Sequence, residues 1–148
     1  MDLDPDLLVK AMSSLASSLS IASSLRNLSK ADASLTSEQA INELKKAAAS
    51  PEELAALSDP KIIASALSVT VISLNLLEQL ADEAQKCEDA FIERRKRATT
   101  QMEKDQAASD AAQCMCSVLR DIKRFNKGIL PGGSSLYHDW WESYSCKD

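Results

Sequence analysis

Residues 61–127 read KIIASALSVTVISLNLLEQLADEAQKCEDAFIERRKRATTQMEKDQAASDAAQCMCSVLRDIKRFNK, without one glycine or proline. The chain's three glycines, Gly128, Gly132 and Gly133, all follow this stretch. Of six aromatic residues, only Phe91 and Phe125 lie outside positions 137–144. Sheets need glycine turns and strands rich in β-branched or aromatic residues, so the chain reads as all-α. Glycine-cradled phosphate sites are excluded on the same ground.

As one helix, 61–127 would extend about 100 Å, far beyond the usual globular length. Polarity divides it. Positions 62–80 are apolar nearly all round, which predicts a central helix with Leu74 and Leu77 against Leu15 and Leu19 of the first helix. Positions 93–110 offer only Met102 and alanines as apolar groups. Val118, Leu119, Ile122, Phe125 and Ile129 then restore an apolar face. The polar middle is either the tip of a helical hairpin, with 99–106 as the turn, or the exposed part of one very long helix over about residues 60–127. The hairpin is the more compact solution.

Upstream, helix starts are marked by their caps. Asp4-Pro5 sets a capping carboxylate before proline at the first helical position. Leu8, Met12, Leu15, Leu19, Ala22 and Leu25 follow at spacings of four and three, up to about Lys30. Ser13, Ser14, Ser17, Ser18, Ser20, Ser23 and Ser24 fill the other face. Serine is a mediocre helix former, so this helix depends on packing, and its small side chains permit close helix approach. Thr36 and Gln39 have capping-box spacing and open a helix to about Ala49. Ser50-Pro51 starts a short helix ending at Leu57, and Asp59-Pro60 starts the next.

Downstream, Gly128 ends the helical stretch, and Pro131-Gly132-Gly133 reads as a hinge. Ser134 or Ser135 caps a last short helix from Leu136 to about Ser145. Two regions follow: a helical bundle or coiled-coil domain over 1–128, and a hinge with an aromatic segment over 129–148. Tyr137, Trp140, Trp141 and Tyr144 carry large apolar areas with polar tips, the chemistry of interface anchors. They are the candidate partner-binding residues; the alternative is that they cap the chain's own bundle.

The 148 residues carry 17 basic and 22 acidic groups, a net charge of −5. That balance repels phosphate backbones and disfavours nucleic acid as a partner. Arg94-Arg95-Lys96-Arg97 and the group Arg120, Lys123, Arg124, Lys127 read as solvated faces, the second favoured by the helix dipole. The acidic N-terminus lacks the basic start of a secretory signal, so reduced thiols and a cytoplasmic setting are expected. Membrane insertion would fall to 62–77. That run spans about 24 Å against a hydrocarbon core of about 30 Å, and Ser65, Ser68, Thr70, Ser73 and Asn75 interrupt it.

Catalytic and metal-binding sets are not legible. Cys114 and Cys116 sit two apart on a helix and point about 200° from each other, so they cannot share one metal without unwinding; with Met115, and Cys87 across a hairpin, the soft sulfur set would suit Cu(I). Cys87, Cys146 and His138 are the remaining ligand candidates, with no closed-site spacing, and no cofactor is expected. His138 is the single histidine and has no nucleophile at a recognisable elbow beside it. Tyr144 to Asp148 has the Tyr-x-x-x-Asp spacing found after helical hairpins in type VII secretion substrates. The Trp-x-Gly turn of those proteins is missing, and the serine- and alanine-rich first helix is only loosely similar to small prophage-encoded helical proteins. No family is assigned. The sequence points to a non-enzymatic helical module that binds a protein partner or a second copy of itself. A membrane-active helical protein, or a small secreted or phage-type one, is the alternative.

Overall fold

The computed structural model describes residues 4–133 and 135–148, and its described residues form seven helices and no strand. They are α1 (Pro5–Ala31), α2 (Ser37–Ala47), α3 (Pro51–Leu57), α4 (Pro60–Ser68), α5 (Leu74–Arg97), α6 (Gln101–Phe125) and α7 (Leu136–Ser143). Most starts follow the caps read from sequence. The Asp4 carboxylate accepts from the amides of Asp6 and Leu7, at 2.9 and 3.5 Å. Thr36 and Gln39 close a reciprocal capping box, and Ser50 and Asp59 cap α3 and α4 ahead of their prolines. Each such cap satisfies amides that the first helical turn leaves without partners.

The polar middle is a hairpin tip. Residues 98–100 turn the chain between α5 and α6, tighter than the 99–106 turn expected. Thr100 caps α6 by accepting the Glu103 amide at 3.1 Å. The two helices pack antiparallel, and α1 lies along α5.

The central helix is α1, and not the 62–80 segment. It touches each of the other six helices. Its apolar stripe is buried as expected, with Leu8, Met12, Leu15 and Leu19 almost wholly covered. Its serine face is partly covered too: Ser18 and Ser23 are buried, Ser14, Ser17 and Ser24 are half-buried, and Ser13 and Ser20 are exposed. Serine can hide because it is small and its hydroxyl can bond its own helix; Ser18 donates to the Leu15 carbonyl at 3.0 Å. By length and composition α1 could cross a membrane, yet 56% of its most apolar window is buried inside the fold.

Positions 62–80 are broken in two. Helix α4 stops at Ser68, residues 69–73 turn, and α5 begins at Leu74. Val69, Thr70, Val71 and Ile72 are four successive β-branched residues, each losing rotamer freedom in a helix. Arg26 of α1 fixes the break, its guanidinium donating to the carbonyls of Thr70 and Ile72. Leu77 is buried like Leu15 and Leu19, whereas Leu74, at the first turn of α5, is half-buried. The 62–77 run is therefore not one continuous apolar helix.

At the far end, Gly128 (φ +76°) closes α6 by donating its amide to the Lys123 carbonyl at 2.9 Å. Gly133 (φ +64°) turns the chain toward α7. Both take a left-handed conformation that glycine adopts without strain. Ser135 precedes α7 and donates its hydroxyl to Pro131 rather than capping, while Ser134 lies outside the described residues. The cap comes from α4 instead, where the Ser65 hydroxyl accepts the Leu136 amide at 2.8 Å.

Candidate interaction site

The four cysteines pair as Cys87–Cys114 and Cys116–Cys146. Free thiols were expected, and helix geometry explains the difference. Cys114 and Cys116 project to opposite sides of α6, one toward α5 and the other toward the C-terminal segment, so each meets its own partner. The first bond staples the hairpin, and the second fastens the tail to α6. The described residues hold no cluster of ligand side chains fit for a metal ion.

The four aromatic residues singled out from sequence sit largely within the fold. Tyr137 is fully buried, with its hydroxyl 3.1 Å from that of Ser18. Trp140 is 8% exposed and meets the Tyr137 ring edge-on, centroids 5.9 Å apart. Trp141 is half-buried, with the Lys123 ammonium 5.2 Å from its ring centroid. Tyr144 is half-buried. Burial raises the phenol pKa of both tyrosines, Tyr137 more strongly. Tyr137 and Trp140 thus use their surface internally, and only the outer edge of this group meets solvent. The Lys123–Asp148 ion pair and a 3.2 Å bond from Arg120 to the Lys147 carbonyl hold the tail further along.

His138 is exposed, and its Nε2 lies 3.9 Å from a Glu142 carboxylate oxygen. In the first basic cluster, Arg94 pairs with Asp110, Arg95 with Asp6 at 2.9 Å and Arg97 with Glu93 at 2.8 Å. Arg94 and Arg95 thus tie α5 to α6 and to α1, while the Arg97–Glu93 pair lies within α5. The Arg94 and Gln106 side chains hold the Asp110 carboxyl below its usual pKa.

A groove of about 1490 Å³ runs along α6, from the hairpin tip to the fastened tail. It follows α6 for roughly 28 Å. Its floor is Phe91 from α5 with Ala108, Ala112 and Cys116 from α6, all buried. Tyr144 stands at the tail end. Its walls carry Arg95, Lys104, Arg120 and Lys147 against one carboxylate, Asp105. Of those cations, Arg95 alone has a carboxylate partner among the described residues. Sequence reading missed this site because 93–110 registered as an exposed polar tip. The signal was present: Ala108, Ala112 and Cys116 recur every four residues, on one line of a helix. A smaller groove of about 600 Å³ lies where α1, the start of α2 and the α4–α5 turn meet, with Leu67 at its edge.

Fold and groove together define a disulfide-stapled helical bundle with one long, basic-walled channel. The chain matches no protein-family model, no curated protein and no solved structure.

Proposed function

We propose that the chain is a non-enzymatic all-α interaction module that seats a helical segment of a protein partner or of a second copy in the α6 groove. The observation that carries this reading is the groove itself. Three long helices, α1, α5 and α6, pack side by side, and a groove lined by residues of α5, α6 and the tail remains beside α6. The floor side chains are small and already buried, so a segment seated there would be held chiefly by the polar and charged walls, with the alanines permitting close approach. The aromatic tail supports the reading as scaffold, since it closes one end of the channel and is fastened there by Cys116–Cys146. Two disulfides favour an oxidising compartment over the cytoplasm expected from the N-terminal charge.

The test is a photo-reactive residue placed at Ser109, on the groove wall, and at Glu52, on the exposed side of α3. Covalent adducts with a second copy or with a protein from the source organism should form from position 109 and not from 52. Adducts of equal yield from both, or from neither, count against the groove. Alkylation of the unreduced native chain tests the compartment; four reactive thiols in freshly isolated protein would return it to the cytoplasm.

A further inference from the structure

The geometry points to the groove's occupant as an amphipathic helix with acidic flanks, carried by a different protein; this rests on the reading of the chain as an interaction module. Charge decides it. The whole chain has a net charge of −5, whereas the groove walls carry four cations and one carboxylate. Arg95 is already matched by Asp6. Lys104 at one end and Arg120 with Lys147 at the other have no carboxylate partner among the described residues. Lys104 and Arg120 stand about 24 Å apart along α6, on either side of the floor formed by Ala108, Ala112 and Cys116. A guest helix laid between them meets small side chains beneath, Lys104 beside Asp105 at one end, and the excess positive charge of Arg120 with Lys147 at the other. Carboxylates on its flanks, above all at the tail end, satisfy the charges, and a modest apolar face lies on the floor.

The same pattern excludes the symmetric alternative. A two-fold dimer through this groove would bring Lys104, Arg120 and Lys147 of one copy against the same residues of the other. Like charges at an interface oppose association, so the groove of a second copy is not the occupant. Nucleic acid fits less well. The floor is apolar and narrow, no exposed aromatic platform stands along it, and the rest of the chain repels phosphate.

Two synthetic amphipathic helices, about five turns long, test the proposal by fluorescence anisotropy on the oxidised full chain. Both carry the same alanine-and-leucine face; glutamates flank one and lysines the other. The glutamate peptide should bind at least tenfold more tightly, and added salt should weaken it. Ser109→Trp, an exposed wall position, should abolish binding with circular dichroism unchanged. The double variant Lys104→Glu with Arg120→Glu, both exposed, should reverse the preference between peptides. Equal binding of the two peptides, or binding that survives Ser109→Trp, overturns the proposal. Neither peptide binding, while position 109 still cross-links to a protein, overturns the acidic helix and leaves the interaction module standing. A single-stranded oligonucleotide or phosphatidylserine vesicles that outcompete the glutamate peptide would overturn it in favour of phosphate.

Discussion

The hydroxyls of Ser18 and Tyr137 lie 3.1 Å apart, joining positions 119 residues apart in the chain inside the core. Ser18 has one hydroxyl proton and gives it to the Leu15 carbonyl, so Tyr137 is the donor between them. The serine thereby bonds its own helix and receives the tail in the same place. A phenol with its hydroxyl buried needs such a partner, because an unmade hydrogen bond costs about 1–3 kcal/mol there. This contact joins the Ser65 cap and the Cys116–Cys146 bond in making the aromatic segment part of the bundle.

Ser18→Ala should therefore destabilise the chain by about 1–3 kcal/mol, since it strands the Tyr137 hydroxyl away from water. Ser23 supplies the control on the same helix. It is also buried, but its hydroxyl has no partner among the described residues. Removing an unsatisfied hydroxyl should be neutral or stabilising, so Ser23→Ala should raise or preserve stability. Urea titration of both variants is the measurement, and equal losses would contradict the bond.

Trp140→Ala should cost about 3–5 kcal/mol, the range for truncating a large buried aromatic. Trp141→Ala should cost much less, because that ring is half-buried and its contact with Lys123 is worth roughly 0.5–1 kcal/mol at such a site. Thermal melts separate the two. Equal and small shifts would mean that the tail is not an internal cap, and would return Trp140 to the role of a partner anchor.

Legibility from sequence followed the range of the interactions. Caps are local, so Asp4, Thr36, Ser50 and Asp59 marked their helices within a residue or two. Thr100 and Glu103 hold the same kind of signal at the start of α6, but it went unread, and only the structure settles hairpin against rod. The break after Ser68 was also written locally, in four successive β-branched residues, but overall apolarity masked it. What could not be read is long-range. Ser18 looks like a solvent-facing serine until Tyr137 arrives on it, and Ser65 looks like a core serine until it caps α7. The groove is legible only once α5, α6 and the tail are known to converge.

Opening Cys116–Cys146 should loosen the tail selectively. The bonded residues are separated by 30 positions, and closing a loop of that size restricts the unfolded chain by about 3–4 kcal/mol. The pair Cys116→Ser with Cys146→Ser should lose about that much in urea titration. Hydrogen exchange should accelerate beyond Ser143 while α1 stays protected. Cys87→Ser with Cys114→Ser, separated by 27 positions, should cost a similar amount but expose the α5–α6 hairpin instead. Identical exchange patterns from the two double variants would contradict two separate staples.

The last prediction concerns pH and the contact of Glu83 with Asp121 across the hairpin. The Glu83 carboxyl is held above its ordinary pKa, first by partial burial and then by the Asp121 carboxylate. A raised folded-state value means that the folded chain holds this proton more tightly than the unfolded one. Stability from this site is therefore fullest below the unfolded value of about 4.5, falls as pH rises through the folded value, and stays low at neutral pH. Glu83→Gln removes the deficit, so the variant should be more stable than the wild type at pH 7. Water screens the pair, which limits the gain to less than about 1 kcal/mol. Near pH 3 the difference should vanish, because the wild-type carboxyl is then protonated in both states. Denaturation of both proteins at pH 7 and near pH 3 checks the sign. A variant less stable at pH 7 would mean that the Glu83 carboxylate is favourably paired, contrary to its place beside Asp121.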